Sequence, residues 1–285
     1  MKVGIIGFGS MGKMLAEKFS ASGLLDRDSI LLASRSPEKM KDAKKWATLC
    51  KSNTELASSS DIVFLCLRPF DLKGVLEEIR GSITEDTLIV SLNGSVSFTN
   101  LEKSLSDTSE DVGVTTDTPP SQYKIAKVIP SVTAEVDRSQ TLLCYNDHVT
   151  SSDKGNLKRL LICMGNVIEL PEEELGMGSE LVSCMPGFIA SVFDVIVKAA
   201  KEHTKIPHDQ VVRMVLQTMI ATGELMLEKS MSFEDVVTRV ATPGGITEEG
   251  TKVVYEQFPE TAQVLFEKTL LKRKLTAEKA QAQFE

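Results

Sequence analysis

The sequence predicts an α/β domain built on a parallel sheet, followed by an all-α domain. Strand and helix patterns alternate through the first half of the chain, and strand patterns stop after the acidic run at residues 171–174. The first strand pattern also leads into a glycine-rich turn. Short apolar strands between helices are typical of a parallel sheet covered on both faces. We expect the two domains to span residues 1–170 and 171–285.

The elements of the first domain follow one another in short segments. Apolar strand patterns cover Lys2–Ile6, Ile30–Ser34, Asp61–Leu67, Thr87–Leu92, Ile125–Ile129, Leu142–Tyr145 and Asn166–Glu169. Helical patterns cover Lys13–Ser22, Pro37–Trp46, Asp71–Ile79, Phe98–Leu105 and Asp153–Met164. The polar segment Ser106–Tyr123 has no helical period, so we predict a surface loop there.

The second domain shows long helical patterns. They cover Glu180–Glu202, Pro207–Lys229, Phe233–Val240, Thr247–Gln257 and Pro259–Lys279. These helices are rich in Met, Val and Leu and offer more apolar surface than one small domain buries alone. We therefore expect a homodimer or a larger homo-oligomer.

Composition narrows the class of protein. The 285 residues are 42% hydrophobic and 25% charged, with a net charge of −8. This acidic balance argues against a nucleic-acid partner or an anionic membrane, since either requires a basic surface. The five cysteines are scattered and the three histidines lack metal-ligand spacing. We therefore expect free thiols in the cytoplasm and no metal site.

Neither a signal peptide nor a membrane span is predicted. The chain begins in a strand pattern rather than in a charged and then apolar leader. The most apolar stretch, Phe188–Ala200, is short and contains Asp194 and Lys198.

The glycine-rich turn at residues 7–12 has the spacing Gly-x-Gly-x-x-Gly between a strand pattern and a helix pattern. In dinucleotide-binding folds the first glycine allows the tight turn, the second admits the pyrophosphate, and the third lets the helix pack on the strand. Free N–H groups at the helix start then face the phosphates. The sequence thus predicts a Rossmann domain whose cofactor contacts include Gly7, Gly9, Ser10, Met11 and Gly12.

The end of the second strand pattern indicates which dinucleotide is bound. An NAD site usually has an acidic residue there, but this chain has Ser34, Arg35 and Ser36. A guanidinium between two hydroxyls suits the 2′-phosphate of NADP. The alternative is an ordinary exposed arginine, with Ser36 capping the helix that begins at Pro37.

A second glycine motif lies between two helical patterns, at residues 242–250. Gly244 and Gly245 before a helix expose several N–H groups to one spot, which suits a carboxylate, and Thr247 places a hydroxyl nearby. The alternative is a glycine helix stop followed by a helix start with two glutamates in its first turn.

These motifs and others resemble the pyrroline-5-carboxylate reductase family over nearly the full chain. The matching blocks are Val3–Gly12, Cys66–Pro69, Val128–Ser131, Val182–Phe188 and Thr242–Thr247. The resemblance implies a Rossmann domain, a dimerising helical domain, and reduction of 1-pyrroline-5-carboxylate to proline with NAD(P)H.

The resemblance also implies roles for individual residues. Gly244, Gly245 and Thr247 would hold the substrate carboxylate, and the Thr247 hydroxyl would bond the imine nitrogen. Further cofactor contacts would come from Leu67, Arg68 and Pro69, and further substrate contacts from Ser131, Ser183, Cys184 and Met185.

Three blocks depart from the family pattern. The family's Ser-Gly-Ser-Gly-Pro-Ala turn is Val182–Gly187 here, its Met-Pro-Asn-Thr-Pro block is Ile129–Thr133, and its Lys-Pro-Gln is Arg68–Phe70. Met185 in place of glycine would narrow or fill a pocket. Ser131 in place of asparagine has a shorter polar side chain, which extends less far toward the cofactor. The residues in these blocks are similar to those of the late competence protein (ComER-like) branch of the family.

Three functions are therefore open. The first is NADP-dependent reduction of 1-pyrroline-5-carboxylate, the second is reduction of another small imine or carbonyl acid, and the third is non-catalytic NADP binding of the competence type. For His203 and His208 we expect surface positions, and for Cys184 a packing thiol rather than a nucleophile.

Overall fold

The computed structural model describes residues 1–106 and 123–284, and in them an eight-stranded sheet. The strands are β1 (Val3–Ile6), β2 (Ile30–Ala33), β3 (Thr48–Leu49), β4 (Ile62–Leu65), β5 (Leu88–Ser91), β6 (Lys124–Ile129), β7 (Ser139–Tyr145) and β8 (Gly165–Glu169). Their order in the sheet is β3-β2-β1-β4-β5-β6-β7-β8. The predicted loop at 106–123 falls almost entirely outside the described residues.

The sheet is parallel except at one place. β7 runs antiparallel to β6, with Ala126 opposite Tyr145, so the prediction of a fully parallel sheet is wrong there. The connection at residues 130–138 is a 3₁₀ turn that ends at Asp137, whose φ is +58°. Such a short link can join only antiparallel neighbours, because a parallel pair needs a crossover of a dozen or more residues. A helical crossover then brings β8 in parallel to β7.

In the described residues, helices lie between these strands, and one more helix follows β8. They are α1 (Ser10–Ala21), α2 (Asn53–Ser58), α3 (Leu72–Ile79), α4 (Phe98–Leu105), α5 (Ser151–Leu161) and α6 (Leu175–Ser179). The predicted helix at 37–46 is a 3₁₀ helix, Pro37–Lys45, which buries only Met40 and Ala43. That i, i+3 spacing fits three residues per turn. Both α2 and β3 are too short to give a pattern in the sequence.

Successive strand residues pack on opposite faces of the sheet. Val3 and Ile5 belong to one buried cluster and Ile6 to the other. Phe64 packs on the first face, whereas Val63 packs on the second. This alternation follows from the pleat of a strand, and it confirms that both faces are covered.

The chain forms two compact units. One comprises Met1–Cys184 together with Leu270–Glu285, and the other comprises Met185–Thr269. The domain boundary expected at residue 170 follows the end of the last strand and stays a prediction.

The helices of the second half are α7 (Met185–Glu202), α8 (His208–Lys229), α9 (Phe233–Val240) and α10 (Ile246–Gln281). The two helices predicted around residue 258 are one continuous helix with Pro259 inside it. A proline within a helix removes one backbone hydrogen bond, but it need not end the helix. A π-helical turn, Glu180–Cys184, precedes α7.

The end of the chain packs on α3. Ala280 and Phe284 are buried in the same cluster as Leu72 and Leu76. The ammonium of Lys73 donates a hydrogen bond of 2.6 Å to the carbonyl of Gln283. The last helical turns therefore help to cover one face of the sheet.

One helical segment, Glu172–Lys201, is long and apolar enough by length and composition to cross a membrane. Its most apolar window has a mean hydropathy of 1.7, and only 11% of that window is buried in the protomer. The expectation that no stretch meets these criteria is therefore wrong, because the apolar residues begin well before Phe188. A single helix of this kind is weak evidence for a membrane span.

An ion pair between a buried lysine and a partly exposed glutamate links three segments on one face of the sheet. Lys127 on β6 is fully buried and pairs with the carboxylate of Glu172. The same carboxylate accepts the N–H of Phe98 at 3.0 Å, and the Lys127 ammonium lies 4.5 Å from the centre of the Phe98 ring. These contacts link β6, the start of α4 and the segment after β8.

Replacing Glu172 by Ala should destabilise the protein by about 2–4 kcal/mol, because it leaves the buried Lys127 ammonium unpaired. The measurement is the free energy of unfolding in urea. Lys158→Ala, which removes an exposed pair with Glu169, serves as the control and should cost less than about 1 kcal/mol. Equal losses in the two variants would contradict the role given to Lys127.

Candidate functional site

A cavity of about 1130 Å³ opens at the carboxyl ends of β1, β2 and β4. It is lined by the turns that follow these strands: residues 7–12 after β1, residues 34–36 after β2 and residues 66–68 after β4. β1 lies between β2 and β4, so the strand order changes direction at this position. In open α/β sheets, ligands bind at this switch point beyond the carboxyl ends of the strands.

The three glycines of the turn at 7–12 have different surroundings. Gly7 has φ +97°, and a Cβ there would lie 2.5 Å from the carbonyl oxygen of Cys66. A Cβ on Gly12 would lie 2.0 Å from the carbonyl oxygen of Gly7. A Cβ on Gly9 would meet no atom within 4 Å. Protein packing thus requires glycine at the first and third positions, whereas the second leaves open space beside the cavity.

The start of α1 provides the polar groups of this turn. Gly9 is the N-cap residue, so no side chain at that position accepts the first N–H groups of the helix. The first turn of α1 carries no acidic residue. Unsatisfied N–H groups and the positive end of the helix dipole favour a phosphate at this position. The residues present therefore fit the pyrophosphate of a dinucleotide.

Basic and hydroxyl side chains line the cavity near the end of β2. Ser34, Arg35, Ser36 and Lys39 all line it, and Arg68 approaches from the turn after β4. Because the Ser36 side chain makes no capping bond to the helical segment that follows, the alternative capping role is wrong.

Arg35 extends across the cavity toward an acidic residue. One nitrogen of its guanidinium, Nη2, lies 3.2 Å from Oδ1 of Asp71, and 81% of the Arg35 side chain is exposed. Asp71 ends the 3₁₀ turn Pro69–Asp71 and also lines the cavity.

The turn after β4 differs from expectation in one residue. Leu67 and Arg68 line the cavity, but Pro69 is not among the lining residues. Pro69 starts the 3₁₀ turn and thereby brings Phe70 and Asp71 to the wall. Sequence reasoning missed both of these, as well as the wall formed by residues 50–53, because β3 and α2 gave no pattern.

Ser131 lies at the end of β6 and is 1% exposed. Its N–H donates to the hydroxyl of Ser139 at 3.2 Å, and its own hydroxyl accepts the N–H of Thr133. These bonds cap the turn between β6 and β7, and Ser131 does not line the cavity at β1, β2 and β4.

Ser183 and Cys184 belong to the π-helical turn, and Met185 begins α7. Within the turn, the carboxylate of Glu180 is 2% exposed and accepts the Nε–H of Arg273 at 2.9 Å. Neither Glu180 nor Arg273 was singled out from the sequence, because no motif connects residues 93 positions apart. Such π-helical turns are frequent at functional sites.

The Cys184 thiol lies in this cluster. Nη2 of Arg273 approaches its sulfur at 3.7 Å. Burial, followed by the charge of Glu180, raises the pKa of Cys184 above its usual value. A raised pKa disfavours the thiolate, which supports a packing role rather than a nucleophilic one.

The second glycine motif forms a tight turn before α10. Gly244 has φ +73°, and its N–H donates to Oε2 of Glu248 at 2.7 Å. The N–H of Gly245 donates to the carbonyl of Thr242, and Thr247 is the second residue of α10. The Gly244 amide therefore does bind a carboxylate, and in this structure that carboxylate is the chain's own. This geometry fits both interpretations of the motif, a site for a substrate carboxylate and a helix stop followed by a helix start. His203 and His208 are exposed in the protomer, as expected.

Comparisons with known proteins agree with this architecture. Residues 2–94 match the family described as NADP oxidoreductase, coenzyme F420-dependent, and residues 172–274 match the pyrroline-5-carboxylate reductase dimerisation domain. Among curated relatives, pyrroline-5-carboxylate reductase 3 of Bacillus subtilis is 26% identical, over 97% of each chain. ComE operon protein 4 of the same organism is 23% identical, over 95% of each chain.

Solved structures show the same fold. The pyrroline carboxylate reductase of Plasmodium falciparum, solved with NADP bound, has a TM-score of 0.84 and 22% sequence identity. The match covers 97% of this chain and 98% of that one. The Coxiella burnetii pyrroline-5-carboxylate reductase has a TM-score of 0.79 and 23% identity, covering 98% of each chain.

Fold and site together define an oxidoreductase of the Rossmann class with an added helical domain. Within that class, residues 172–274 match the pyrroline-5-carboxylate reductase dimerisation domain, and relatives named pyrroline-5-carboxylate reductase are similar over nearly the whole chain.

The glycine turn gives a prediction with a matched pair of variants. Gly9→Ala should leave thermal stability nearly unchanged, since its Cβ meets no atom and Gly9 has φ −83°, but it should weaken NADPH binding at least about tenfold by intruding on the pyrophosphate. Gly12→Ala should instead lower the melting temperature, because its Cβ clashes with the Gly7 carbonyl. Unchanged NADPH affinity in Gly9→Ala would contradict the assignment of the cavity.

Proposed function

We propose that this chain reduces 1-pyrroline-5-carboxylate to L-proline with NADPH. The observation that carries the proposal is the cavity at the switch point of the sheet, with open space at Gly9 and a basic end around Arg35. It is supported by the dimerisation-domain match and by relatives named pyrroline-5-carboxylate reductase that span nearly the whole chain.

In this proposal the first unit holds the nucleotide. The N–H groups at the start of α1 bind the pyrophosphate, and Ser34, Arg35 and Ser36 bind the 2′-phosphate. Leu67 and Arg68 contact the cofactor beyond the end of β4, and Pro69 shapes the turn that follows them. Bound NADPH supplies a hydride for the imine carbon.

The chain's remaining task is to bind and orient the imine. Gly244 and Gly245 offer N–H groups to the substrate carboxylate, and the Thr247 hydroxyl bonds the imine nitrogen. Ser131, Ser183, Cys184 and Met185 are the further substrate residues. A protonated cyclic imine is already electrophilic, so proximity and orientation supply most of the catalysis, and no histidine acid is required.

A second candidate keeps the hydride chemistry but changes the substrate to another small imine or carbonyl acid. Met185 in place of the family's glycine favours it, because a larger side chain there would reshape the substrate pocket. Non-catalytic NADP binding is the third candidate, and the likeness to ComE operon protein 4 keeps it open.

The assembly and the location complete the proposal. The exposed apolar side chains of the second unit include Leu227, Val253 and Tyr255, at 60% to 84% exposure. We propose that a second copy covers such surface, forming a homodimer in the cytoplasm.

The direct test is NADPH oxidation by the purified protein with 1-pyrroline-5-carboxylate. Thr247→Ala should lower kcat/KM by about 10- to 100-fold, the effect of losing one hydrogen bond to the reacting group. Arg35→Ala should instead raise the KM for NADPH and leave kcat largely unchanged. NADPH binding without any turnover would overturn the proline assignment and favour the non-catalytic candidate.

Glu248 gives a separate prediction about the substrate loop. Glu248→Ala frees the Gly244 amide and removes a negative charge, so it should lower the KM for the imine acid about three- to tenfold. Glu249→Ala is the matched control, because the Glu249 carboxylate pairs with Lys252 at 2.9 Å rather than with the Gly244 amide. If Glu248→Ala only lowers the melting temperature and leaves KM unchanged, Glu248 serves as a helix cap and nothing more.

A further inference from the structure

The ion pair between Arg35 and Asp71 lies in the wall of the nucleotide cavity. Arg35 follows β2, and Asp71 reaches the same cavity from the turn after β4. Their guanidinium nitrogen and carboxylate oxygen are 3.2 Å apart. A cation and an anion thus stand together where the ribose of a bound dinucleotide is expected.

The pair contributes little to the fold. The Arg35 side chain is 81% exposed and that of Asp71 is 29% exposed, and such ion pairs add little stability. Asp71 is the N-cap residue of α3, yet its side chain makes no capping bond to that helix. Its position is therefore not explained by packing or by capping.

The two kinds of nucleotide would use this pair differently. NAD sites usually bind the ribose hydroxyls with an acidic residue at the end of the second strand, and in this chain β2 is followed by serine and arginine. Asp71 brings a carboxylate to the same place from the turn after β4, on the other side of β1. A 2′-phosphate, by contrast, would share Arg35 with Asp71 and be repelled by it.

We propose that Asp71 determines nucleotide specificity in this chain, by competing with a 2′-phosphate for Arg35 and by offering a carboxylate to a 2′-hydroxyl. The site then accepts NADH as well as NADPH, with Arg35 favouring one and Asp71 the other. This inference rests on the proposed function only in placing a nicotinamide dinucleotide in the cavity, and it is independent of the substrate.

The test compares Asp71→Asn with wild type by titrating NADPH and NADH separately and following nucleotide fluorescence in the absence of substrate. Asp71→Asn should tighten NADPH binding about three- to tenfold, since a like charge close to the phosphate is removed. It should weaken NADH binding about two- to fivefold through loss of a charged acceptor. Opposite changes for the two nucleotides are the signature of a specificity role.

Glu78→Gln is the matched control. Glu78 also lines the cavity from α3, but its carboxylate bonds the amide of Asn53 at 2.8 Å rather than Arg35. Glu78→Gln removes the same charge as Asp71→Asn. It should change the affinities for NADPH and NADH in the same direction by less than about twofold. In an Arg35→Ala background, Asp71→Asn should tighten NADPH binding less than it does in wild type, because the competition for Arg35 is gone and only the repulsion between Asp71 and the phosphate remains.

The outcomes separate this inference from the proposed function. If Asp71→Asn shifts both nucleotides in the same direction, or matches Glu78→Gln, the specificity role of Asp71 is overturned. If neither nucleotide binds the wild-type protein, both this inference and the proposed cofactor are wrong. If selectivity shifts as expected but no imine is reduced, only the proposed reaction fails.

Discussion

The close approach of the first turn to the neighbouring strand is the constraint on which the site depends. A side chain at Gly7 would strike the carbonyl of Cys66, and one at Gly12 would strike the carbonyl of Gly7. Because both positions are bare, α1 starts directly above the end of β1 with its N–H groups facing outward. The turn packs against the sheet at Gly7 and Gly12. Space therefore stays open beside Gly9, on the side of the cavity.

The charged residues fall into two groups, those that stabilise the fold and those that line the cavity. The protein has a net charge of −8, yet basic side chains gather at the end of β2 around Arg35, Lys39 and Arg68. Away from the cavity, the fully buried Lys127 has its charge compensated by Glu172. Buried charge thus serves the fold, whereas exposed charge near the cavity remains available to a ligand.

The sequence predicted the parts of the fold that depend on local patterns. The buried strands and the glycine turn were found because each occupies consecutive residues with a clear periodicity. A strand was predicted within β7, but its antiparallel direction was missed, because strand direction depends on the length of the connection that precedes it. The helix through Pro259 was predicted as two helices because proline usually ends a helix, although it removes only one backbone hydrogen bond. In the first unit, the sequence could not predict the contacts of Asp71 with Arg35 or of Glu180 with Arg273, because each joins residues far apart in the chain. In the second unit, the contact of Glu248 with the Gly244 amide depends on the conformation of the turn between them.

Hydride transfer from NADPH to a cyclic imine acid is the reaction that we propose for this chain. The most direct measurement uses NADPH deuterated at both C4 positions with 1-pyrroline-5-carboxylate, followed by mass spectrometry of the product. We expect proline that carries one deuterium on the former imine carbon. Unlabelled proline, or no proline despite bound nucleotide, would contradict it.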